Sequence, residues 1–405
     1  ALEQLRSELV RYRQTFLTAS TENADRIRTL EGQLQALGPA PEDGKTEAED
    51  IAQLRASLQD QLSALRVPRV VAEESYSRAA GLISEIDKIV RERRTKRLLE
   101  RGPSPLNPQH WPTALAALSE AGVAIWHEST AQFSNDTTQE RIGDNLPAIL
   151  VLSALSILLL LRGRPWARSI GHYLRQFGAR GTGVWTFVVS LLQVALPFTG
   201  ILLLTTAIDL SGVLGLRGTL LSDYVPYWAL MILGFHWLGE QLFPPGGAEA
   251  LLGVPDNRRR QARLLVDLLA IVLVLQDALI RMEQIERFSG ESHAVLGFPL
   301  VLGAALLLLR VQRLALVPHQ DRVTEGDDGG VSGLGRVLAL IRRGSIFLAV
   351  VSPVLAAVGY TNAAEALIYP AISSIALFGV ILVLQRFIGD IYGLVSGKGQ
   401  AARDS

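Results

Sequence analysis

The chain has 405 residues, 39 acidic against 39 basic side chains, 49% hydrophobic residues and no cysteine. The missing thiols exclude disulfides, thiolate metal sites and cysteine nucleophiles. The even charge balance conceals two unlike parts: residues 1–144 carry 18 Lys/Arg against 22 Asp/Glu, and residues 145–405 hold the remaining 21 against 17 within long runs of Leu, Val, Ile and Ala.

In the first part, Leu2, Leu5, Leu9, Tyr12 and Phe16 recur at alternating spacings of three and four, and Ile27, Leu30, Leu34 and Leu37 repeat the pattern after an eleven-residue step. This is a coiled-coil seam with a phase shift. Gly38-Pro-Ala-Pro-Glu-Asp-Gly44 stops the helix, and a second seam of Ile51, Leu54, Leu58, Leu62 and Leu65 follows, so the pair predicts an antiparallel helical hairpin. Pro68 lacks an N–H and is expected to interrupt the second helix. A third helix is then expected from about Val70, presenting Ala79, Leu82, Ile86 and Ile89. The run Arg91-Glu-Arg-Arg-Thr-Lys-Arg97 is interleaved with Glu92 and followed by Glu100, so it reads as a solvated face and no nucleic-acid partner is expected. Arg101-Gly-Pro-Ser-Pro-Leu-Asn-Pro-Gln-His-Trp-Pro112 carries four prolines and reads as a rigid extended connector, followed by a helix from about Thr113 to Phe133.

Beyond Asn145 the apolar stretches begin. The stretch Leu146 to Leu161 holds no charge. A bilayer core roughly 30 Å thick needs about 20 helical residues to cross it, and in lipid the backbone must satisfy its hydrogen bonds within the segment. Spans are expected at 146–162, 184–208, 225–243, 264–280, 295–316, 344–360 and 366–395. The fold class is therefore all-α: a coiled-coil, helical-hairpin domain at 1–101, a Pro-rich connector and juxtamembrane helix at 102–145, a polytopic bundle of about seven spans at 146–397 and a short tail at 398–405.

Alternate loops are rich in arginine. Arg162, Arg164, Arg168, Arg175 and Arg180 follow the first span, Arg258, Arg259, Arg260 and Arg263 the third, and Arg322, Arg336, Arg342 and Arg343 the fifth, whereas the intervening loops carry few or balanced charges. Cytoplasmic loops are the arginine-rich ones. The amino-terminal part is thus expected in the periplasm, the carboxyl end in the cytoplasm, and a signal peptide ahead of Ala1. Arg162, Arg164, Arg258, Arg259, Arg260, Arg342 and Arg343 would anchor the cytoplasmic interface.

Within the spans, Pro197, Pro299, Pro353 and Pro370 each free a backbone carbonyl and are candidate hinges. Gly178, Gly181, Gly183, Gly326, Gly329 and Gly330 give permissive loops. His236 and Glu240 share a helix face, and Asp267, Gln276 and Asp277 lie on the next span. Ionisable groups at that depth are candidate relay or binding residues, although snorkelling and local ion pairs account for Glu240 and Asp267 more simply. The six histidines lack metal-ligand spacing, His127-Glu128 lacks the second histidine of a zincin motif, and Ser396-Gly-Lys-Gly399 is not a phosphate loop. No enzyme, metal or cofactor is expected.

The coiled-coil part, the connector Arg101-Gly-Pro-Ser-Pro-Leu-Asn-Pro108 with Trp111, and the ending Gln385-Arg-Phe-Ile-Gly-Asp-Ile-Tyr392 together resemble the amino-terminal portion of large MscS-like mechanosensitive channels, in the bacterial subgroup with a domain of unknown function ahead of extra membrane helices. The resemblance implies a non-pore, tension-sensing membrane portion of a homo-oligomer, expected to be heptameric, in contact with membrane lipids. Such channels release ions and small solutes on hypo-osmotic shock. The family's Gly/Ala-rich pore helix has no counterpart before Ser405, so no pore residues carry over. The alternative reading is a secondary transporter or solute-binding membrane protein, for which no convincing internal repeat is visible.

Overall fold

The computed structural model describes residues 2–39, 48–177, 182–244, 255–315 and 333–395. Among them every regular element is helical: twelve α-helices and one 3-10 turn. The chain divides into two units, Ala1–Leu98 and Leu99–Ser405. Most of the expected turn at Gly38–Gly44, the glycines at 178, 181, 326, 329 and 330, and the tail at 398–405 lie outside the described residues.

The first unit holds α1 (Leu2–Thr21), α2 (Ala24–Ala36) and α3 (Glu49–Leu99). Ile27 and Leu30 of α2 are buried against Leu58 and Leu62 of α3, with Leu34, Leu37 and Leu65 packed beside them. This is the predicted hairpin, although Ile51 and Leu54 stay exposed. Arg55 of α3 donates to the carbonyls of Gly38 and Leu37 at 2.9 and 3.3 Å, satisfying acceptors that the end of α2 leaves free.

The expected break at Pro68 does not occur, and there is no separate third helix: α3 runs 51 residues with Pro68 inside it. The reason lies in the phase of the seam. Leu58, Leu62, Leu65, Arg69, Ala72, Tyr76, Ala79, Ile83, Ile86 and Val90 are all buried or half-buried and follow steps of four and three without a slip. Pro68 falls on the exposed side of that stripe, where water can take the carbonyl that its missing N–H leaves unpaired. The same stripe places Ile83 inward in place of the expected Leu82, which is exposed.

Helix α1 buries no side chain, so its apolar repeat is not a closed seam. Its register along the later half of α3 is set by ion pairs: Arg6 Nε lies 2.7 Å from Asp87 Oδ1, and Glu3 lies 3.3 Å from Arg94. The hydrogen bond from Arg6 holds the Asp87 carboxyl below its ordinary range. A carboxylate with a depressed folded value contributes stability above its unfolded value and loses it as pH falls through the folded one. Hydrogen-exchange protection of α1 is therefore expected to fall selectively on acidification through the carboxylate range, and Asp87→Asn is expected to remove that pH dependence.

The second unit opens with the connector, a 3-10 turn at Pro108–His110 and α4 (Trp111–Phe133). Then come α5 (Asp136–Phe177), α6 (Thr182–Ser211), α7 (Leu216–Ser222), α8 (Val225–Leu242), α9 (Asp256–Glu286), α10 (Gly290–Ala315), α11 (Gly333–Val358) and α12 (Thr361–Val395). Leu269, Leu273, Val301, Ala304, Ala305, Leu308, Ala349, Ala356, Ala364, Ile368 and Ile372 form the core of α9 to α12. Its many alanines let the helices approach closely. A second cluster joins Leu238, Leu242 and Phe243 of the α8 end to Ala262, Val266 and Val383.

Helices α5 and α6 form an antiparallel hairpin on glycine contacts. A Cβ at Gly163 would lie 3.0 Å from Leu196 Cβ, one at Gly171 2.6 Å from a Val189 methyl, and one at Gly200 3.2 Å from the Ser156 carbonyl. Side chains at those positions would drive the helices apart. Gly200→Val is expected to cost about 1–3 kcal/mol, read as a lowered unfolding midpoint of the purified protein.

Among the described residues, five helices are long and apolar enough to cross a membrane: Asp136–Gly171, Phe187–Ser211, Gly290–Leu314, Ala339–Val358 and Thr361–Gly389. The chain has the character of a multi-pass membrane protein. The expected stretches 225–243 and 264–280 correspond to α8 and most of the middle of α9, which carry polar groups that keep them out of this set. Pro197, Pro299, Pro353 and Pro370 all lie inside helices, in α6, α10, α11 and α12.

Candidate functional site

The ionisable side chains of the bundle gather in two layers, one near each end. Antiparallel packing fixes which residues meet. In α8 and α9, Trp228 reaches Asp277, His236 reaches Asp267, and Gly239 faces Val266. In α9 and α10, Glu283 meets His293. In α10 and α11, Gln312 donates to Ser345 at 3.1 Å.

The first layer unites three of the four polar residues singled out in the sequence. His236 Nδ1 lies 3.0 Å from Asp267 Oδ1, and its Nε2 lies 3.5 Å from Glu240 Oε1. All three are about one-third exposed. Arg164 and Arg168 of α5 are near enough to act on Glu240 electrostatically. Nearby, Trp237 Nε1 donates to Ser190 Oγ at 3.0 Å, tying α8 to α6. An imidazole between two carboxylates can hold or pass a proton; it also neutralises charge that would otherwise face apolar side chains.

Asp277, the fourth, is not part of this group. It stands ten residues further along α9, about 15 Å at the rise of an α-helix. Its Oδ2 accepts from Trp228 Nε1 at 2.8 Å and its Oδ1 from Arg281 at 3.4 Å. Arg281 in turn donates to Tyr224 Oη at 3.2 Å and lies 4.1 Å over that ring. Asp277 thus accepts from one side chain of α8 and one of α9 itself. The arrangement is a polar staple between α8 and α9, in which the buried Arg281 Nε has no hydrogen-bond partner.

This staple belongs to the second layer, at the end of the bundle that also receives the connector. Gly102 N donates to Gly359 O at 2.9 Å, Ser104 Oγ to Ala357 O at 2.7 Å and Arg101 Nε to Val358 O at 3.3 Å. The connector therefore pairs with the carbonyls that end α11, groups a helix terminus leaves without partners. Pro105 is fully buried, and Trp111 Nε1 donates to its carbonyl at 2.9 Å. His110 lies 3.1 Å from Glu291 at the start of α10. Glu128 of α4 accepts from Leu216 N at 2.7 Å, capping α7. Arg217 meets Glu286 at 3.0 Å. Tyr369 Oη of α12 donates to Gln276 Oε1 of α9 at 3.1 Å.

The arginines expected at an interface stand at the opposite end. Arg162 is exposed and Arg164 half-buried along α5; Arg258 and Arg260 are exposed and Arg259 half-buried at the start of α9, where Arg259 donates to Pro244 O at 3.4 Å. Arg342 and Arg343 are exposed in the first part of α11. The linear sequence does not mark Glu283, His293, Glu365, Arg281 or the Gly102–Gly359 contact as a group. Its one available signal was a histidine and a glutamate placed at the very start of two apolar stretches.

Among the described residues, no group of three or more His, Asp and Glu is arranged to hold a metal ion. A family model described as a protein of unknown function (DUF3772) matches residues 69–131. The match takes in the later part of α3, the whole connector and nearly all of α4. No curated protein and no solved structure matches the chain.

Gly359 has φ +107, a left-handed value that favours glycine, and a Cβ there would lie 2.5 Å from Gly102 O. Gly359→Val is thus expected to expel the connector from the α11 terminus. Amide exchange at Gly102 should accelerate by about tenfold or more, the equivalent of roughly 1.4 kcal/mol, while amides in the middle of α10 stay protected.

Proposed function

We propose that this chain is the non-pore, tension-sensing membrane portion of a mechanosensitive ion channel that releases ions and small solutes on hypo-osmotic shock. The observation that carries the reading is the asymmetry of the helix bundle. One end is built of closed acid–base pairs and a docked connector, and the other presents Arg162, Arg164, Arg258, Arg259, Arg260, Arg342 and Arg343. Arginine accumulates on the cytoplasmic side of a membrane protein. In this reading the connector end of the bundle and the amino-terminal helical unit are both periplasmic, and α8 and α9 are the two further spans that make seven. Their charges are tolerated at depth because each is matched within the bundle.

Tension favours the state with the larger in-plane area, so a sensor needs helices with two packings of similar energy. The proline-bearing α6, α10, α11 and α12 and a connector held by a few hydrogen bonds to the α11–α12 turn suit that demand. The homo-oligomer, with seven copies expected, would form around a pore supplied by residues not among these 405. The matched domain of unknown function accords with the resemblance drawn from the connector.

A second reading, a secondary transporter, draws on His236, Glu240 and Asp267, which could relay protons. The two readings part on one measurement. Patches containing the full-length protein should show pressure-activated currents that survive His236→Gln; proton-coupled solute uptake lost in that variant, with pressure-silent patches, would favour the transporter. Orientation has its own test. Because the chain lacks cysteine, a single cysteine at Leu106 should react with a membrane-impermeant maleimide in intact cells, and one at Leu340 should react only after permeabilisation.

A further inference from the structure

Glu283, His293 and Glu365 stand on three different helices, α9, α10 and α12. His293 Nδ1 lies 2.8 Å from Glu283 Oε2, and its Nε2 lies 3.5 Å from Glu365 Oε1. The two carboxylates therefore approach opposite edges of one ring. His293 and Glu365 are each only 13% exposed and Glu283 is 31% exposed, so water does little to screen the His293–Glu365 pair. Glu365 reaches this position because α10 carries Gly297 beneath it: a Cβ at Gly297 would lie 2.8 Å from Glu365 Oε1.

The chemistry of imidazole makes the arrangement proton-dependent. A neutral ring has one N–H and one lone pair, so it can donate to one carboxylate only and turns its lone pair on the other. The imidazolium carries an N–H on each edge and sets its positive charge between the two carboxylates. Proton loss would leave the largely buried Glu365 and the partly exposed Glu283 with no cation between them, and such a pair repels. Among the described residues, no other cation lies within ion-pair distance of Glu283 or Glu365. On α9, Arg287 lines a polar cavity of about 380 Å³ beside Glu283, Gln284, His293 and Asn362, and Glu286 is engaged by Arg217. On α10, Glu291 is paired with His110. On α12, Tyr369 follows Glu365 by one turn and donates to Gln276. Among the described residues, His293 is the only cationic partner within ion-pair distance of Glu365.

We propose that Glu283, His293 and Glu365 form a proton-operated latch that holds α9, α10 and α12 together at the connector end of the bundle while the ring is an imidazolium, and releases them as pH rises and the ring gives up its proton. The latch does not depend on the channel reading: any protein built on this bundle would carry it. Its place is one helical turn from the α11–α12 turn that receives Gly102, so release would loosen the helix start beside the connector's docking point.

The test uses the full chain in lipid nanodiscs. Spin labels go on cysteines introduced at Gly290 and Ala366, exposed positions on α10 and α12 outside the triad, in a chain with no cysteine of its own. Electron–electron distance distributions are recorded across about pH 5 to about pH 11, a range wide enough to contain imidazole deprotonation. The protonation of His293 is followed in parallel by imidazole ¹⁵N shifts, assigned by their absence in His293→Gln. A longer-distance population should grow by about tenfold as the ring loses its proton. His293→Gln and Glu365→Gln, both near-isosteric, should each abolish the pH response while retaining helical circular dichroism. Four results would overturn the latch: a ring already neutral at the acid end, a ring that keeps both protons until the chain unfolds, distances unchanged while the ring deprotonates, or a pH response that persists in His293→Gln.

Discussion

An ionised side chain between apolar helices is tolerated only beside a partner of opposite charge, and this constraint orders the bundle. The cost of leaving such a charge unmatched is several kcal/mol even after relaxation. Leucine and alanine faces alone would let α8 slide past α9, because one turn of apolar surface resembles the next. Trp228 against Asp277 and His236 against Asp267 admit one register. Glu283 against His293 does the same for α9 and α10. Those pairs look like relay candidates when each residue is viewed singly. Together they are the pins that hold an otherwise interchangeable set of apolar rods.

The first unit solves the register problem differently. In α2 and α3 a heptad stripe does the work, and its phase is strong enough to carry α3 straight through Pro68. A proline removes one hydrogen bond; the stripe contributes buried side chains on both sides of it. The outcome follows from where the proline falls around the helix, on the exposed side, where its lost bond can be made to water. Helix α1 lacks buried side chains and depends on surface ion pairs, which contribute little. It is therefore the part of the unit most responsive to salt and pH.

Connector and bundle meet by a third device, the unpaired carbonyls at the end of α11. Prolines at 103 and 105 keep residues 101–104 out of helix, ahead of a turn at residues 105–106. An extended strand of chain offers backbone and hydroxyl donors at a spacing that a helix cannot. The glycine at 359 supplies the left-handed turn and the close approach that let Gly102 reach it. The match to the domain of unknown function covers the connector side of this contact, residues 101–104, and the α11 end lies outside it.

Periodicity and composition alone determined that the chain is helical, that a charged hairpin precedes an apolar bundle, and that arginine collects at one end. Those properties are local: heptad spacing, hydropathy over a span and the charge of a loop are written in contiguous residues. The apolar seam of Ile27, Leu30, Leu58 and Leu62 was legible for the same reason, as was the nearness of His236 to Glu240 on one helix face. Tertiary structure decided the rest. Pairing of His293 with glutamates 10 residues before and 72 after it, the separation of Asp277 from the His236 group, and the meeting of Gly102 with Gly359 across 257 residues depend on which helices become neighbours. A single sequence carries no local mark of that choice, because it is made by close packing of small side chains and by the matching of buried charge between distant segments.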